Sequence, residues 1–163
     1  MKYLKITASI VAIALFYLIY LFIPNKIVLT GNDYIPKSAN ELTKGIMEIQ
    51  YWDRWMPYKK IESHTFIFEQ GQMEVQEAFI SSAKSKFILE DIVAPITLSA
   101  VDAGKDSSFL RYECLIDNHN FSPVKRIHTY LIAKKIQAQL DPILFAAKKY
   151  YSKPSTKDST QTK

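Results

Sequence analysis

Cysteine is nearly absent from this sequence, and its single occurrence, Cys114, excludes two classes of protein. One thiol cannot form an internal disulfide, so the chain is not a disulfide-stabilised domain. One thiol also cannot supply any of the multi-cysteine zinc patterns. Cys114 lies in a segment of alternating apolar and polar residues, and no histidine stands next to it as the partner of a nucleophile. We therefore expect a small buried apolar side chain.

Glycine is also scarce, with four residues in the chain of 163. The sequence contains no glycine-rich phosphate-binding loop, no nucleophile elbow and no H-E-x-x-H zinc motif. The three histidines, His64, His119 and His128, are scattered, and no two of them have the spacing of metal ligands. We therefore expect no cofactor and no metal, although a shaped cavity with one polar group could still catalyse a reaction.

The net charge of +5 comes from the two ends of the chain. Residues 1–30 carry three lysines and no acid, and residues 148–163 carry five lysines and one aspartate, whereas the segment between them is slightly negative. Basic ends suit an anionic membrane surface better than the continuous footprint of a DNA or RNA site. We therefore expect a membrane partner and no nucleic acid.

A long apolar run extends from Ile6 to Pro24. A helix of this length reaches roughly 28 Å, close to the hydrocarbon thickness of a bilayer. The run lacks the small residues of a signal-peptidase site, so residues 1–25 are predicted to form an uncleaved transmembrane anchor. Lys2 and Lys5 favour an N-terminus inside. The chain is then predicted to be a single-pass protein of a bacterial inner membrane with its domain on the extracytoplasmic side.

The segment 26–57 predicts a strand, a short helix and an aromatic turn. Residues 26–34 mix β-branched and polar residues, as strands do. Ser38 and Glu41 form a capping box before a short helix. Gly45 weakens that helix by about 1 kcal/mol relative to alanine, which indicates the close approach of another backbone. The segment ends in the pattern W-x-x-W-x-P, which contains both tryptophans of the chain.

The middle of the chain, 61–117, alternates apolar and polar residues with a period of two. Strands are predicted at 64–70, 73–80, 86–93, 95–103 and 107–117. Gly71 and the turn at 104–106 separate hairpins, and 81–85 is predicted to be a loop. Because no helix intervenes, these strands are expected to form an antiparallel meander.

A long helix is predicted from the N-cap Ser122 and the N1 residue Pro123 to about residue 151. Pro142 is expected to kink or restart it. Its apolar stripe predicts the face that packs against the sheet: Ile132, Ile136, Leu140, Ile143, Leu144, Ala147 and Tyr151. Its basic residues form either a solvated face or a face that leans on anionic lipid headgroups. The tail 153–163 has no apolar residue and is predicted to be disordered.

This order of elements resembles the SRPBCC superfamily, which includes START lipid-transfer domains, polyketide cyclase-like proteins and birch-pollen-allergen-like proteins. The resemblance covers residues 20–151, is strongest at 21–57, and extends to membrane-anchored bacterial members. It implies an α+β chain with an N-terminal transmembrane helix and a helix-grip domain at 26–152. In that fold a curved antiparallel sheet wraps a long C-terminal helix, and family members hold sterols, lipids or aromatic polyketides in an apolar cavity between them.

The resemblance and the strand pattern together indicate which side chains would line such a cavity. The candidate ligand-binding residues are Trp52, Trp55, Phe66, Phe68, Met73, Leu98, Leu110, Tyr112, Ile132 and Ile136. The same residues would equally well form a filled core, with the two tryptophans as a structural plug. Tyr112 is the candidate polar group for chemistry in the cavity.

Three functions fit these expectations. The first is a membrane-tethered, non-catalytic binding module for an apolar small molecule or lipid, and the absence of catalytic motifs favours it. The second is a cyclase- or hydratase-type enzyme acting in the same cavity. The third is a structural or interaction protein at the membrane with a filled cavity and an exposed apolar patch elsewhere. The volume and polarity of the space between the sheet and the last helix distinguish the three.

Overall fold

A helix forms at the start of the chain, and the computed structural model describes residues 2–62 and 64–153. This helix, α1, spans Lys2–Phe22. A bilayer crossing needs about 20 consecutive, mostly apolar residues, and within the described part of the chain no helix is long and apolar enough to make one. The predicted localisation as a single-pass membrane protein is therefore wrong, and the transmembrane anchor is not supported. The predicted disordered tail lies, from residue 154 on, outside the described residues.

Seven antiparallel strands form one sheet, in the order β1-β7-β6-β5-β4-β3-β2. The strands are β1 (Lys26–Ile35), β2 (Lys59–Glu62), β3 (Thr65–Ile67), β4 (Gln72–Phe79), β5 (Ser82–Leu89), β6 (Ile92–Gly104) and β7 (Ser107–Asp117). From β2 to β7 each strand pairs with the next one in the chain, which confirms the predicted meander and adds the edge strand β2, which was not predicted. β1 lies at the other edge of the sheet and pairs with β7, with Leu29 opposite Cys114.

Two tight turns differ from the predicted strand boundaries. Residues 80–81 connect β4 to β5, so the predicted loop at 81–85 is wrong, because pairing resumes at Ser82. Residues 90–91 connect β5 to β6, inside the strand predicted at 86–93. Glu90 adopts a φ of 55°, a left-handed conformation that usually marks glycine or asparagine in such turns. Neither turn contains the glycine that reveals a hairpin in a sequence.

Two helices follow the predicted positions, and a short 3-10 helix forms where the aromatic turn was expected. Helix α2 spans Ala39–Met47, and the Ser38 side chain accepts a hydrogen bond from the backbone N–H of Glu41. A short 3-10 helix, Ile49–Arg54, then carries the first tryptophan. Helix α3 spans Pro123–Tyr151 without a break. The restart expected at Pro142 therefore does not occur.

The core lies between the sheet and α3. Ile132, Ile136 and Leu140 of α3 are buried, and so are Leu110 and Tyr112 of β7. The alternation of buried and exposed residues along β7 shows that one face of the sheet packs inward while the other faces solvent. This confirms the predicted helix-grip arrangement, an α+β fold with a sheet around the C-terminal helix.

The start of β1 is tied to α3 by a buried cation. Arg126, expected on the exposed basic face of α3, is instead 3% exposed. Its guanidinium donates hydrogen bonds to the carbonyl of Ile23, at 2.9 Å from Nε, and lies 4.7 Å from the Tyr20 ring centroid. Asn118, also buried, donates to the carbonyl of Pro24. Backbone carbonyls compensate the burial of this charge, since they replace the hydrogen bonds lost to water.

Candidate functional site

The space between the sheet and α3 is the site that the helix-grip arrangement predicts. Its wall consists of Trp52, Met73, Ser85, Ile96, Leu98, Tyr112, Leu140 and Ile143. Its volume is about 10 Å³. A cavity needs roughly 10–15 Å³ to admit a single water molecule. The interior is therefore almost completely filled by side chains.

All ten predicted ligand-binding residues are buried in the core. Four of them line the space: Trp52, Met73, Leu98 and Tyr112. The other six lie in the core that surrounds it: Trp55, Phe66, Phe68, Leu110, Ile132 and Ile136. The sequence pattern thus identified inward-facing residues, and contact of any of them with a ligand stays a prediction.

Four wall residues were missing from the predicted set: Ser85, Ile96, Leu140 and Ile143. Ser85 was missed because its segment was assigned to a loop. The alternation of burial along β5 runs through Ser82–Leu89 and brings Ser85 to the inner face. A period-two pattern over the whole segment would have revealed it, since Ala83, Phe87 and Leu89 share its parity.

Three wall residues carry polar groups. The indole Nε1 of Trp52 donates to the carbonyl of Ile46 at 3.0 Å. The Tyr112 hydroxyl donates to Oδ1 of Asp141 at 2.5 Å. Ser85 is 2% exposed, and its hydroxyl forms no hydrogen bond within the described residues. Ser85 therefore presents the wall's one hydroxyl that is free to bind an incoming polar group.

Tyr112 combines a buried ring with a bonded hydroxyl. Burial and the hydrogen bond to Asp141 raise the pKa of Tyr112 well above its ordinary value of 10.0. The phenol is therefore protonated at neutral pH and acts as a donor. Because its proton is donated to the exposed Asp141, the hydroxyl is not free to donate to a molecule in the space.

Contacts at Gln139 hold the far edge of the sheet against α3. The backbone N–H of Gln70, in the turn between β3 and β4, donates to Oε1 of Gln139 at 3.0 Å. The Tyr58 hydroxyl donates to the backbone carbonyl of Gln139 at 2.7 Å, and the Tyr58 ring stacks on Phe68 at 3.8 Å. Burial and the nearby Glu69 carboxylate raise the pKa of Tyr58. These contacts close the sheet over α3.

One group of potential metal ligands appears where the sequence spacing showed none. Side-chain atoms of Glu90, Asp91 and His128 lie within 4.8 Å of one another, and all three residues are exposed. Glu90 is within 3.3 Å of the His128 ring and within 3.6 Å of Lys135 Nζ. The lysine supplies to Glu90 the positive charge that a metal ion would bring, so ion pairing accounts for the position of Glu90.

No family model matches the sequence, and no curated protein matches it. Several solved structures share its fold. Truncated norcoclaurine synthase from Thalictrum flavum superposes with a TM-score of 0.58 at 13% identity, over 80% of this chain and 96% of that one. CalU16 from Micromonospora echinospora superposes with a TM-score of 0.53 at 10% identity, over 77% and 76%.

A second structure of the plant enzyme, in complex with dopamine and hydroxybenzaldehyde, superposes with a TM-score of 0.52. Its identity to this chain is 15%, over 78% of this chain and 90% of that one. At such identities the likeness shows the fold alone. The described domain therefore shares its fold with these structures, and that fold is the helix-grip arrangement implied by the resemblance in the sequence.

Proposed function

We propose that residues 26–152 form a non-catalytic binding module that takes an apolar small molecule or lipid between the sheet and α3. The observation that carries this proposal is the composition of the inner wall. Seven of its eight residues are apolar or have their polar atom bonded within the protein, and Ser85 offers a single unpaired hydroxyl. Small-molecule sites combine such a wall with a few polar groups.

Binding requires the interior to expand, because about 10 Å³ admits no organic molecule. The contacts at Gln139 are those that must loosen, since they join the turn between β3 and β4 to α3. The plant enzyme supports the idea that this fold can accommodate ligands, because its structure is described with dopamine and hydroxybenzaldehyde bound. In this chain the ligand would replace side-chain contacts of the filled interior.

Catalysis fits the wall less well than binding. A cyclase- or hydratase-type reaction needs an acid or base directed at the substrate. Tyr112 is the candidate, but its hydroxyl donates to Asp141 and its raised pKa prevents it from acting as a base near neutral pH. The binding module is therefore preferred to the enzyme.

A second candidate is an interaction protein whose interior stays filled. The small interior volume favours it, and so does an apolar surface on α1 and the loop before α3. The exposed large side chains on that surface include Ile10, Ile13, Phe16, Tyr17 and Phe121.

Native mass spectrometry of the full-length protein, followed by organic extraction, distinguishes the two candidates. The binding module predicts an apolar molecule at one per chain in the wild type and its loss in Ser85→Leu, which fills the space. Ser99→Leu, on the outward-facing side of β6, is the matched control and should retain the molecule. An empty wild type, together with a Ser85→Leu variant clearly less stable than the wild type, would show a filled interior with no room for the larger side chain.

A further inference from the structure

A second cleft lies away from the inner wall, between α2, the 3-10 helix and the last turn of α3. Its volume is about 340 Å³, within the range of roughly 300–1,000 Å³ that small-molecule sites occupy. Tyr51, Trp55, Tyr150 and Tyr151 line it together with charged residues of α2 and the 3-10 helix. The second tryptophan of the W-x-x-W-x-P pattern therefore belongs to a surface cleft as well as to the core.

Trp55 carries an unpaired polar group at this cleft. The residue is 6% exposed, and its indole Nε1 has no hydrogen-bond partner. Trp52, three residues earlier, has its Nε1 bonded to the carbonyl of Ile46. Buried N–H groups are nearly always paired, so an orphan at the wall of a cleft points to an acceptor that a ligand brings.

Tyr151 is an aromatic neighbour of Trp55 in the wall of this cleft. It is the last residue of α3, and its ring centroid lies 6.4 Å from that of Trp55. Its hydroxyl lies over Gly45, where an added Cβ would be 1.8 Å away. The Trp55 nitrogen is shielded from solvent in this arrangement. A ligand that bonds to the nitrogen must therefore displace a side chain of the cleft wall.

The charges at the cleft favour an anion. Glu41 is already paired with Lys37 at 3.7 Å. Lys44 has no acidic partner within the described residues, and the guanidinium of Arg54 stacks over the Tyr51 ring at 4.1 Å. The two cations therefore outnumber the one unpaired carboxylate of the cleft, that of Glu48.

We propose that this cleft binds a small aromatic carboxylate. Its carboxylate accepts a hydrogen bond from Nε1 of Trp55 and pairs with Lys44 and Arg54. Its ring packs against the tyrosines of the cleft, since aromatic rings favour offset and edge contacts. The site is separate from the inner wall, so this proposal does not depend on whether the interior opens.

The two indole N–H cross-peaks in a proton–nitrogen NMR spectrum test this proposal, with phenylacetate as the probe. Trp55→Phe identifies the Trp55 peak. Saturable movement of that peak, with the Trp52 peak unchanged, is the expected result. Phenethylamine, which has the same ring and the opposite charge, should leave the peak in place. Equal or tighter binding of the amine, or no saturable movement with phenylacetate, overturns the proposal.

Charge variants give a second measurement that does not depend on changing a tryptophan. Lys44→Gln should weaken phenylacetate binding about two- to fivefold, the size expected of one exposed charge pair, and Glu48→Gln should tighten it. Lys149→Gln, on the exposed side of α3, is the matched control and should change nothing. Equal affinities for the Lys44 and Lys149 variants would refute the assigned charges. Movement of the Trp52 peak alone would refute this site and indicate binding at the inner wall.

Discussion

Two glycines make room for the phenol rings of Tyr112 and Tyr151. An added Cβ on Gly31 of β1 would lie 2.4 Å from Cε1 of Tyr112 and 3.0 Å from Cδ1 of Leu144. At Gly45 the neighbour is the Tyr151 side chain, so the expected approach of another backbone at that position is wrong. At both positions the absence of a side chain allows a phenol to reach past the main chain.

Gly31→Ala should therefore destabilise the fold by about 1–3 kcal/mol, because the rigid Tyr112 ring cannot move away from an added methyl group without disturbing the core. Urea denaturation measures the change in the free energy of unfolding. Thr30→Ala, on the exposed face of the same strand, should have little effect. In a Tyr112→Leu background the cost of Gly31→Ala should fall, and equal costs in both backgrounds would contradict the steric explanation.

At the scale of the elements, the sheet contacts α3 close to the proline inside that helix. Pro142 has no N–H, so the carbonyl four residues earlier loses its helical partner. The adjacent carbonyl of Gln139 accepts the Tyr58 hydroxyl, and the Gln139 side chain accepts the N–H of Gln70. The edge of the sheet is thus fastened to α3 close to its proline.

Tyr58→Phe should lower the free energy of unfolding by about 0.5–1.5 kcal/mol, because it removes the hydroxyl that bonds to Gln139 and keeps the ring that stacks on Phe68. Amide hydrogen exchange should become faster in β3 and β4 and remain unchanged in β7. Tyr34→Phe, at an exposed position of β1, is the control. Uniform acceleration across the sheet would show that the contact is not a local fastening.

For the molecule as a whole, buried groups that can lose a proton make the folded state less stable at alkaline pH. Burial raises the pKa of the Cys114 thiol from 9.0 to about 12. Burial, followed by the charges of Tyr150 and Glu48, raises the pKa of Tyr151 from 10.0 to about 12. Each group keeps its proton more tightly when folded than when unfolded. Their contribution to stability is therefore complete below pH 9 and is lost as the pH rises towards 12.

We accordingly expect the free energy of unfolding to decrease between pH 9 and pH 12, as measured by urea denaturation at several pH values. Each such group contributes up to about 1.4 kcal/mol per pH unit. Cys114→Ala should make the decrease in the free energy of unfolding above pH 9 less steep. Below pH 8 the dependence of that free energy on pH should be the same in the variant and the wild type. A stability that is constant up to pH 11 would disprove this prediction.

The local elements of the fold were predictable because their causes lie within a few residues. The cap at Ser38, the proline at N1 of α3, the alternation along β7 and the stripe that includes Ile136 all act through neighbours in the chain. Turns without glycine were not predictable in this way, since Glu90 adopts its left-handed conformation only within the paired strands.

By itself the sequence determined a helix-grip order of elements and the set of inward-facing side chains, because periodicity and capping are local properties. Only the tertiary structure decided how much space those side chains leave. It also decided that Tyr112 donates to Asp141, that Arg126 is buried against Ile23, and that Trp55 keeps an unpaired N–H. These outcomes depend on atoms that are distant in the chain and close in space, where a shift of one residue or one rotamer changes the partner.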